Sequence, residues 1–276
     1  MNPEVQIAIP SFKRSQKLQR YTLAFLEKER INKGLITIFV ANAEEEQEYR
    51  KVIGDAYKIV VGVKGISQQR LFIRNYYPEG MKVISLDDDI KDLKFLRKDL
   101  SFPLLCERMF AICEEEGLTT WGIYPVNNLF FCKDRVLRGR LYIIGVCYGF
   151  INKHDIQEWL PQRGGKEDSW YSLQRIAMEG GVLRYDGCCP NTIYYAKGGL
   201  SDTRTLETED QDARLVAGMF PVFAEYRKKK NGHGEVKIKR FIESEFSIFS
   251  KIECQSDTIR QDTTMESPTS NSSNPS

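Results

Sequence analysis

An apolar run, Lys82-Val83-Ile84-Ser85-Leu86, leads directly into three consecutive carboxylates, Asp87, Asp88 and Asp89. A short apolar run of this kind reads as a buried strand. Its end must therefore lie where three negative charges can be tolerated, because unscreened carboxylates repel one another and resist desolvation. Two settings allow that. One is a solvated acidic turn that caps the next helix. The other is a divalent cation, Mn2+ or Mg2+, which takes hard oxygen ligands. In an extended backbone Asp87 and Asp89 point to one face and Asp88 to the other, so the pair offered to a cation is Asp-x-Asp.

The preceding residues place this motif in a repeating pattern. Strand signals at 5–9, 35–40, 58–63 and 82–86 alternate with helical signals at 18–28, 44–53 and 68–76. That rhythm predicts an α/β fold with a mainly parallel sheet and helices on both faces. Ligands on such sheets collect at the carboxyl ends of the strands. Three polar clusters fall there: Pro10-Ser11-Phe12-Lys13-Arg14, Asn42 with Glu44, and the Asp triplet. Further on, 142–151 reads as a strand broken by Gly145 and Gly149. Glu167 and Asp168 open a helix with Trp170, Leu173, Ile176 and Ala177 on its apolar face. Residues 182–185 and 192–196 read as short strands and 200–209 as a loop. The segment 227–240 carries seven basic residues around Gly232-His233-Gly234.

Composition narrows the class. With 276 residues, 41% hydrophobic and 28% charged, the chain can bury one large core. We expect a single domain over 1–250 and a disordered tail over 251–276, which is rich in Ser, Thr, Asn, Gln and Pro. A net charge of +2 attracts no polyanion globally, so any nucleic acid must be met by a local patch. Seven cysteines without a C-x-x-C suggest neither a disulfide framework nor a zinc site, and point to a reducing compartment. The first apolar run stops at Pro10 and lacks a basic leader, and no later run is long enough to span a bilayer. The expectation is a soluble intracellular protein, nuclear in a eukaryote and cytoplasmic otherwise, with no membrane partner.

The succession IAIPSFKR, GISQQRLFIRN, ISLDDDI, GGKEDSW and NGHG resembles the nucleotide-sugar glycosyltransferases of the GT-A fold over residues 5–240. More narrowly, it resembles the TET/JBP-associated glycosyltransferases, which include the kinetoplastid base J glucosyltransferase and sugar-modify hydroxymethylated pyrimidines in nucleic acid. The resemblance implies a GT-A, Rossmann-like mixed sheet, a UDP-sugar donor (UDP-glucose first) and a hydroxymethylated base in DNA as acceptor.

Residue by residue, Phe12 can stack on a base, while Ser11 and Arg14 offer donors beside Pro10. Arg70 and Arg74 lie four apart and share a helix face aimed at the triplet. One of them meets the nucleotide or the acidic cluster, and the resemblance favours Arg74. It assigns Asp87 to the ribose side and to the metal, Asp89 to the metal, and Asp88 to an indirect donor contact. Glu167 and Asp168 can serve as helix caps, since carboxylates favour helix N-termini. They can also act in catalysis, where a carboxylate opposite the leaving diphosphate takes the acceptor proton and inverts the anomeric carbon. The resemblance points to Asp168 as that base, with Glu167 as the alternative. A late histidine on the metal corresponds to His233, and Lys228, Lys229 and Lys230 beside it can meet a diphosphate or an acceptor's phosphates. Rival readings are a GT-A enzyme acting on a polysaccharide or protein, an inactive GT-A domain used as a binding module, and a nucleotidyltransferase. The last would open on a Gly-rich phosphate loop, and IPSFKR contains no glycine.

Overall fold

The computed structural model describes residues 4–155, 166–192 and 205–249. The first half is the predicted alternation. It runs β1 (Val5–Pro10), α1 (Ser15–Leu18), α2 (Ala24–Lys28), β2 (Ile36–Val40), α3 (Ala43–Ile53), β3 (Lys58–Val61), α4 (Ile66–Tyr76) and β4 (Lys82–Leu86). A π-helical segment, Gln19–Leu23, joins α1 to α2. Then follow β5 (Ile90–Phe95), α5 (Phe102–Glu116), β6 (Thr120–Ile123), β7 (Val136–Arg140), β8 (Cys147–Ile151), α6 (Glu167–Glu179), β9 (Val182–Tyr185), β10 (Cys188–Thr192), α7 (Leu206–Met219), β11 (Ala224–Lys228), β12 (Gly234–Ile238) and β13 (Phe241–Phe246).

Nine strands form one sheet in the order β13-β7-β9-β6-β8-β4-β1-β2-β3. The half built from the first ninety residues is parallel. Beyond β4 the sheet is mixed, because β8 runs antiparallel to both β4 and β6, and β7 to β9. Period-2 patterning divides the core between the two faces. Val5, Ile7 and Ile9 of β1, Ile36, Ile38 and Val40 of β2, and Ile84 and Leu86 of β4 pack with α2, α3 and α5. Ala8, Phe39 and Val83 pack with α4, α6 and α7 on the other face. Helix boundaries follow local chemistry. Asn42 caps α3 by accepting from the Glu45 amide, and Ser101 caps α5 by accepting from Leu104. Gly117 ends α5 in the left-handed conformation at φ 66°.

Two expectations change. Only 147–151 of the predicted strand at 142–151 pairs in the sheet. The residues before it form a loop whose backbone passes against Arg70, and an added Cβ at Gly145 would lie 2.4 Å from Arg70 Nη1. The expected loop at 200–209 is helical from Leu206. Thr205 and Thr208 cap α7 reciprocally, which turns a polar stretch into a helix start, and Ala213, Val216 and Ala217 then bury its inner face. Thr192 closes β10, and the remainder of the strand expected at 192–196 lies outside the described residues, as does the expected tail at 251–276. No helix among the described residues is long and apolar enough to cross a membrane, and the six described cysteines are free and buried.

Candidate active site

Strand directions bring the predicted clusters to one edge. β4 is parallel to β1, and two successive antiparallel pairings, through β8, make β6 run the same way as β4. The Pro10–Arg14 loop, Asn42 and the Asp triplet all follow strand C-termini on this edge. Pro10 ends β1 in register with Phe39, and Ser11 donates its amide to the Phe39 carbonyl at 2.9 Å.

The three aspartates divide between two arginines. Asp87 faces α4, where its Oδ1 lies 3.2 Å from Arg70 Nη2. Asp88 turns to the opposite face. It accepts from Ser11 Oγ at 2.5 Å and from Arg14 Nη1 at 3.2 Å. Asp89 does not return to the side of Asp87, because the chain turns at 88–89 before β5 and sets Asp89 Oδ2 3.4 Å from the same Arg14 Nη1. Burial raises all three carboxyls, Asp87 to about 7 and Asp89 to about 6. Arg70 opposes the rise at Asp87 and Arg14 at the other two, while Asp88 and Asp89 add to the rise at Asp87 and Asp88 to that at Asp89. Behind Asp88, Tyr49 of α3 joins its hydroxyl to Ser11 Oγ at 2.6 Å and accepts the Arg14 amide at 3.1 Å, tying the loop after β1 to the turn after β4. From the π-helical segment, Thr22 Oγ1 donates to the Asp87 carbonyl at 2.8 Å.

Arg70 links this turn to the start of α6. Its guanidinium reaches Glu167 Oε1 at 3.4 Å and the Gly145 carbonyl at 2.9 Å while holding Asp87. Asp168 sits beside Glu167. Its Oδ2 accepts the Tyr142 hydroxyl and its Oδ1 accepts the Ser169 amide at 2.8 Å. Burial, followed by the Asp168 charge, raises the Tyr142 phenol well above its ordinary value, so it stays protonated as the donor. A cleft with about 410 Å3 of empty space, its open mouth included, runs between α4 and α6 past Arg70, Glu167 and Asp168.

Phe12 is half-buried, with Lys13 Nζ 5.3 Å and Lys64 Nζ 5.9 Å from its ring centroid. Lys13 has φ 54°, a left-handed conformation unusual outside glycine, and its amide is held by Glu45 Oε2 at 2.8 Å. Arg74 does not reach the Asp turn. It lies between the rings of Phe150 and Tyr171, with centroids at 3.9 and 4.2 Å, one turn further along α4 than Arg70. His233 sits at the turn between β11 and β12, with Nδ1 2.7 Å from Glu209 Oε2. Glu209 in turn lies 3.8 Å from Lys166 Nζ. Among the described residues no three His, Cys, Asp or Glu side chains form a cluster ready to hold a metal ion, so His233 stands apart from Asp87 and Asp89 here. Sequence reasoning missed Tyr49 and left the role of Tyr142 open. Each is a single aromatic that only the tertiary fold brings to a carboxylate. Gly145, read as a strand interruption, gave the one sequence signal for the close approach of Arg70.

This α/β sheet with an acidic turn at its switch edge is the GT-A, Rossmann-like arrangement. No family model and no curated protein sequence matches the chain. Solved structures do. Glucosyl-3-phosphoglycerate synthase from Mycobacterium tuberculosis, in complex with Mn2+, UDP-glucose and phosphoglyceric acid, overlays with a TM-score of 0.50 at 7% identity, over 86% of this chain and 88% of that one. The same synthase with Mn2+ and UDP-glucose gives 0.50 at 8% identity, over 84% and 86%. At such identities the likeness is one of fold.

Proposed function

We propose that this chain is a divalent-metal-dependent, inverting glycosyltransferase that draws its sugar, glucose in the first instance, from a UDP-sugar. One observation carries the reading. Three carboxyls of a single turn, fixed by loops from β1 and α4, lie within one arginine of a second acidic pair at a helix start. The residues suit a divalent cation. Asp87 and Asp89 offer hard oxygen donors, and burial and mutual repulsion lift their carboxyls to about 7 and about 6, charge that a cation would relieve. Those two would hold the ion once Asp89, set with Arg14 on the other side of the turn, leaves that arginine to join Asp87, and its contribution when bound would be to neutralise the departing diphosphate. The same-fold synthase was solved with Mn2+ and UDP-glucose, which agrees with this donor.

The chain's own groups supply the rest. The loop of Pro10, Ser11, Phe12 and Arg14 offers an aromatic face and donors for the nucleoside, and Ser11 and Arg14 hold Asp88 in place so that the loop and the turn form one wall. Asp168 is the base. Tyr142 and the Ser169 amide fix its carboxylate while leaving lone pairs on both oxygens for the proton of the acceptor hydroxyl. Glu167, held by Arg70, orients the sugar side of the site. His233, which forms no cluster with Asp87 and Asp89 among the described residues, is left out of the ligand set.

For the acceptor we propose a hydroxymethylated pyrimidine in DNA. The family resemblance supports this, as does the exposed basic hairpin of β11 and β12 with Lys228 and Lys230 at its turn. A primary alcohol on a base projects into the major groove, and a recessed site reaches it at a groove edge or by extrusion of the nucleotide. The test is UDP release across several UDP-sugars, with duplexes that differ only in the hydroxymethyl group. Label confined to the hydroxymethylated duplex supports the DNA acceptor. Equal label in both, or transfer to a glycan, peptide or small acid with none to DNA, removes it and leaves the donor chemistry standing.

A further inference from the structure

The cleft between α4 and α6 contains polar groups that the proposed transfer does not use. Arg74 is 5% exposed, yet among the described residues it makes no ion pair, and its Nη2 has no hydrogen-bond partner. Trp170, 2% exposed, leaves its indole Nε1 without an acceptor, as do the Ser67 hydroxyl at 2% exposure and Arg70 Nε. All four residues line the same cleft. Buried polar groups are ordinarily satisfied, and an isolated buried guanidinium is more costly than a neutral donor left alone. The faces of Phe150 and Tyr171 lessen that cost without supplying a negative charge.

The donors are ordered along the cleft. Ser67, Arg70 and Arg74 recur at helical spacing on α4, so Arg74 lies four residues, about 6 Å, beyond Arg70. On α6, Trp170 lies beyond Glu167 and Asp168 in the same sense. The Arg70 level of the cleft therefore holds carboxylates, with Glu167 held by Arg70 and Asp168 by Tyr142, and the inner end at Arg74 and Trp170 presents two unpartnered N–H donors and no carboxylate. A water molecule can accept from an indole N–H, but it leaves a guanidinium charge unopposed. The group that complements this inner end carries oxygen acceptors and a negative charge, and the molecule bearing it presents hydroxyls to the carboxylates at the Arg70 level.

We propose that the inner end of this cleft is a subsite for an acidic group, a carboxylate or a phosphate monoester, on the small substrate that lies against Asp168. Arg74 and Trp170 are its recognition pair. The subsite rests on the glycosyltransferase reading for its role but not for its chemistry. The acid has two sources: a uronate carboxylate on the donated sugar, which would replace glucose as the donor sugar, or an acidic group on a small acceptor, which would replace the DNA acceptor proposed above.

Calorimetric titration of the full chain with Mn2+ separates them. One arm compares UDP-glucuronate with UDP-glucose. A second, with UDP present, compares glycerol 3-phosphate with glycerol. A third uses inorganic phosphate without nucleotide. We expect the acid to bind at least tenfold more tightly than its neutral counterpart in the first arm (donor source) or the second (acceptor source), and phosphate to bind in the third. Arg74→Met keeps an unbranched side chain between the two rings and should erase the preference. Trp170→Phe keeps an aromatic ring but removes the N–H together with part of the indole, and should reduce the acid preference severalfold while binding of the neutral counterpart stays within about twofold, the melting temperature reporting separately on the packing lost. The proposal is overturned if no acid is preferred in either comparison and phosphate fails to bind, or if the preference survives undiminished in both variants. If UDP itself does not bind, the glycosyltransferase reading fails, and the subsite is then judged on the phosphate arm alone, with Trp170→Phe deciding should Arg74→Met not fold.

Discussion

Asp168 and Glu167 are adjacent carboxylates in unlike surroundings, and that difference predicts unlike roles. Glu167 is buried and ion-paired with Arg70, whereas Asp168 is less buried and is fixed by two neutral donors, feeling Arg70 only through its field. A general base acts in the transition state rather than in donor binding. Asp168→Asn should therefore lower kcat on the order of a hundredfold or more while the Kd for UDP-sugar stays within about twofold. Glu167→Gln should weaken donor binding as well, because it frees Arg70. Single-turnover kinetics beside equilibrium titration distinguish the two, and a healthy Asp168→Asn would move the base elsewhere. Tyr49 is the residue the sequence concealed. Its hydroxyl satisfies Ser11 and the Arg14 amide together, and removal of a buried partner costs about 1–3 kcal/mol. Tyr49→Phe should raise the donor KM severalfold with kcat little changed, and a fall in kcat at constant KM would place Tyr49 outside the donor wall.

Two glycines of one connected stretch separate function from stability at the scale of the element. At Gly145, in the loop before β8, an added Cβ meets only the far end of the Arg70 side chain, 2.4 Å from Nη1 and 2.7 Å from Nη2. Arg70 can swing away, but only by releasing Asp87 and Glu167. Gly145→Ala should thus cost about tenfold in kcat/KM, near 1.4 kcal/mol, with little change in Tm. At Gly149, inside β8, the Cβ would lie 2.2 Å from Trp121 Nε1, on a fully buried ring in T-shaped contact with Phe110. Nothing there yields easily, and Gly149→Ala should destabilise by about 1–3 kcal/mol. Thermal melts of both variants beside their kinetics check the contrast, and an unfolded Gly145→Ala would contradict it. Sequence inspection marked both positions as interruptions of a strand without separating their causes, since nothing local reveals which side chain approaches. The first four strands were legible because each is a short apolar run set between helical signals, and three of them end in a polar cluster. β11, β12 and β13 were not, because they are edge or hairpin strands with many exposed charges, and α7 was hidden because its first turn is held by a Thr–Thr cap rather than by apolar spacing.

At the scale of the whole molecule, the parallel half of the sheet delivers two loops and a turn to one edge, and the mixed half adds the helix that carries the acidic pair. The charge gathered there is costly to the fold in the absence of a cation. Asp87 ionises at about 7 and Asp89 at about 6 in the folded protein, against an ordinary value of 3.8. Between those limits the folded state binds more protons than the unfolded chain, so these two groups make stability fall as pH rises from about 4 to about 7. Mn2+ should oppose that fall, because it binds the folded state and competes with the same protons. At a concentration one hundred times its Kd it would add about 2.7 kcal/mol at 25 °C. The increase in melting temperature on adding Mn2+ should therefore be larger at pH 7.5 than at pH 5, where protons occupy both carboxyls. It should shrink in Asp89→Asn and vanish when Asp87→Asn is added. Differential scanning calorimetry in matched buffers, with EDTA as the metal-free arm, measures all of these. An equal increase at the two pH values, or one that persists in the double variant, would place the cation away from the Asp turn and remove the central support for metal-assisted transfer.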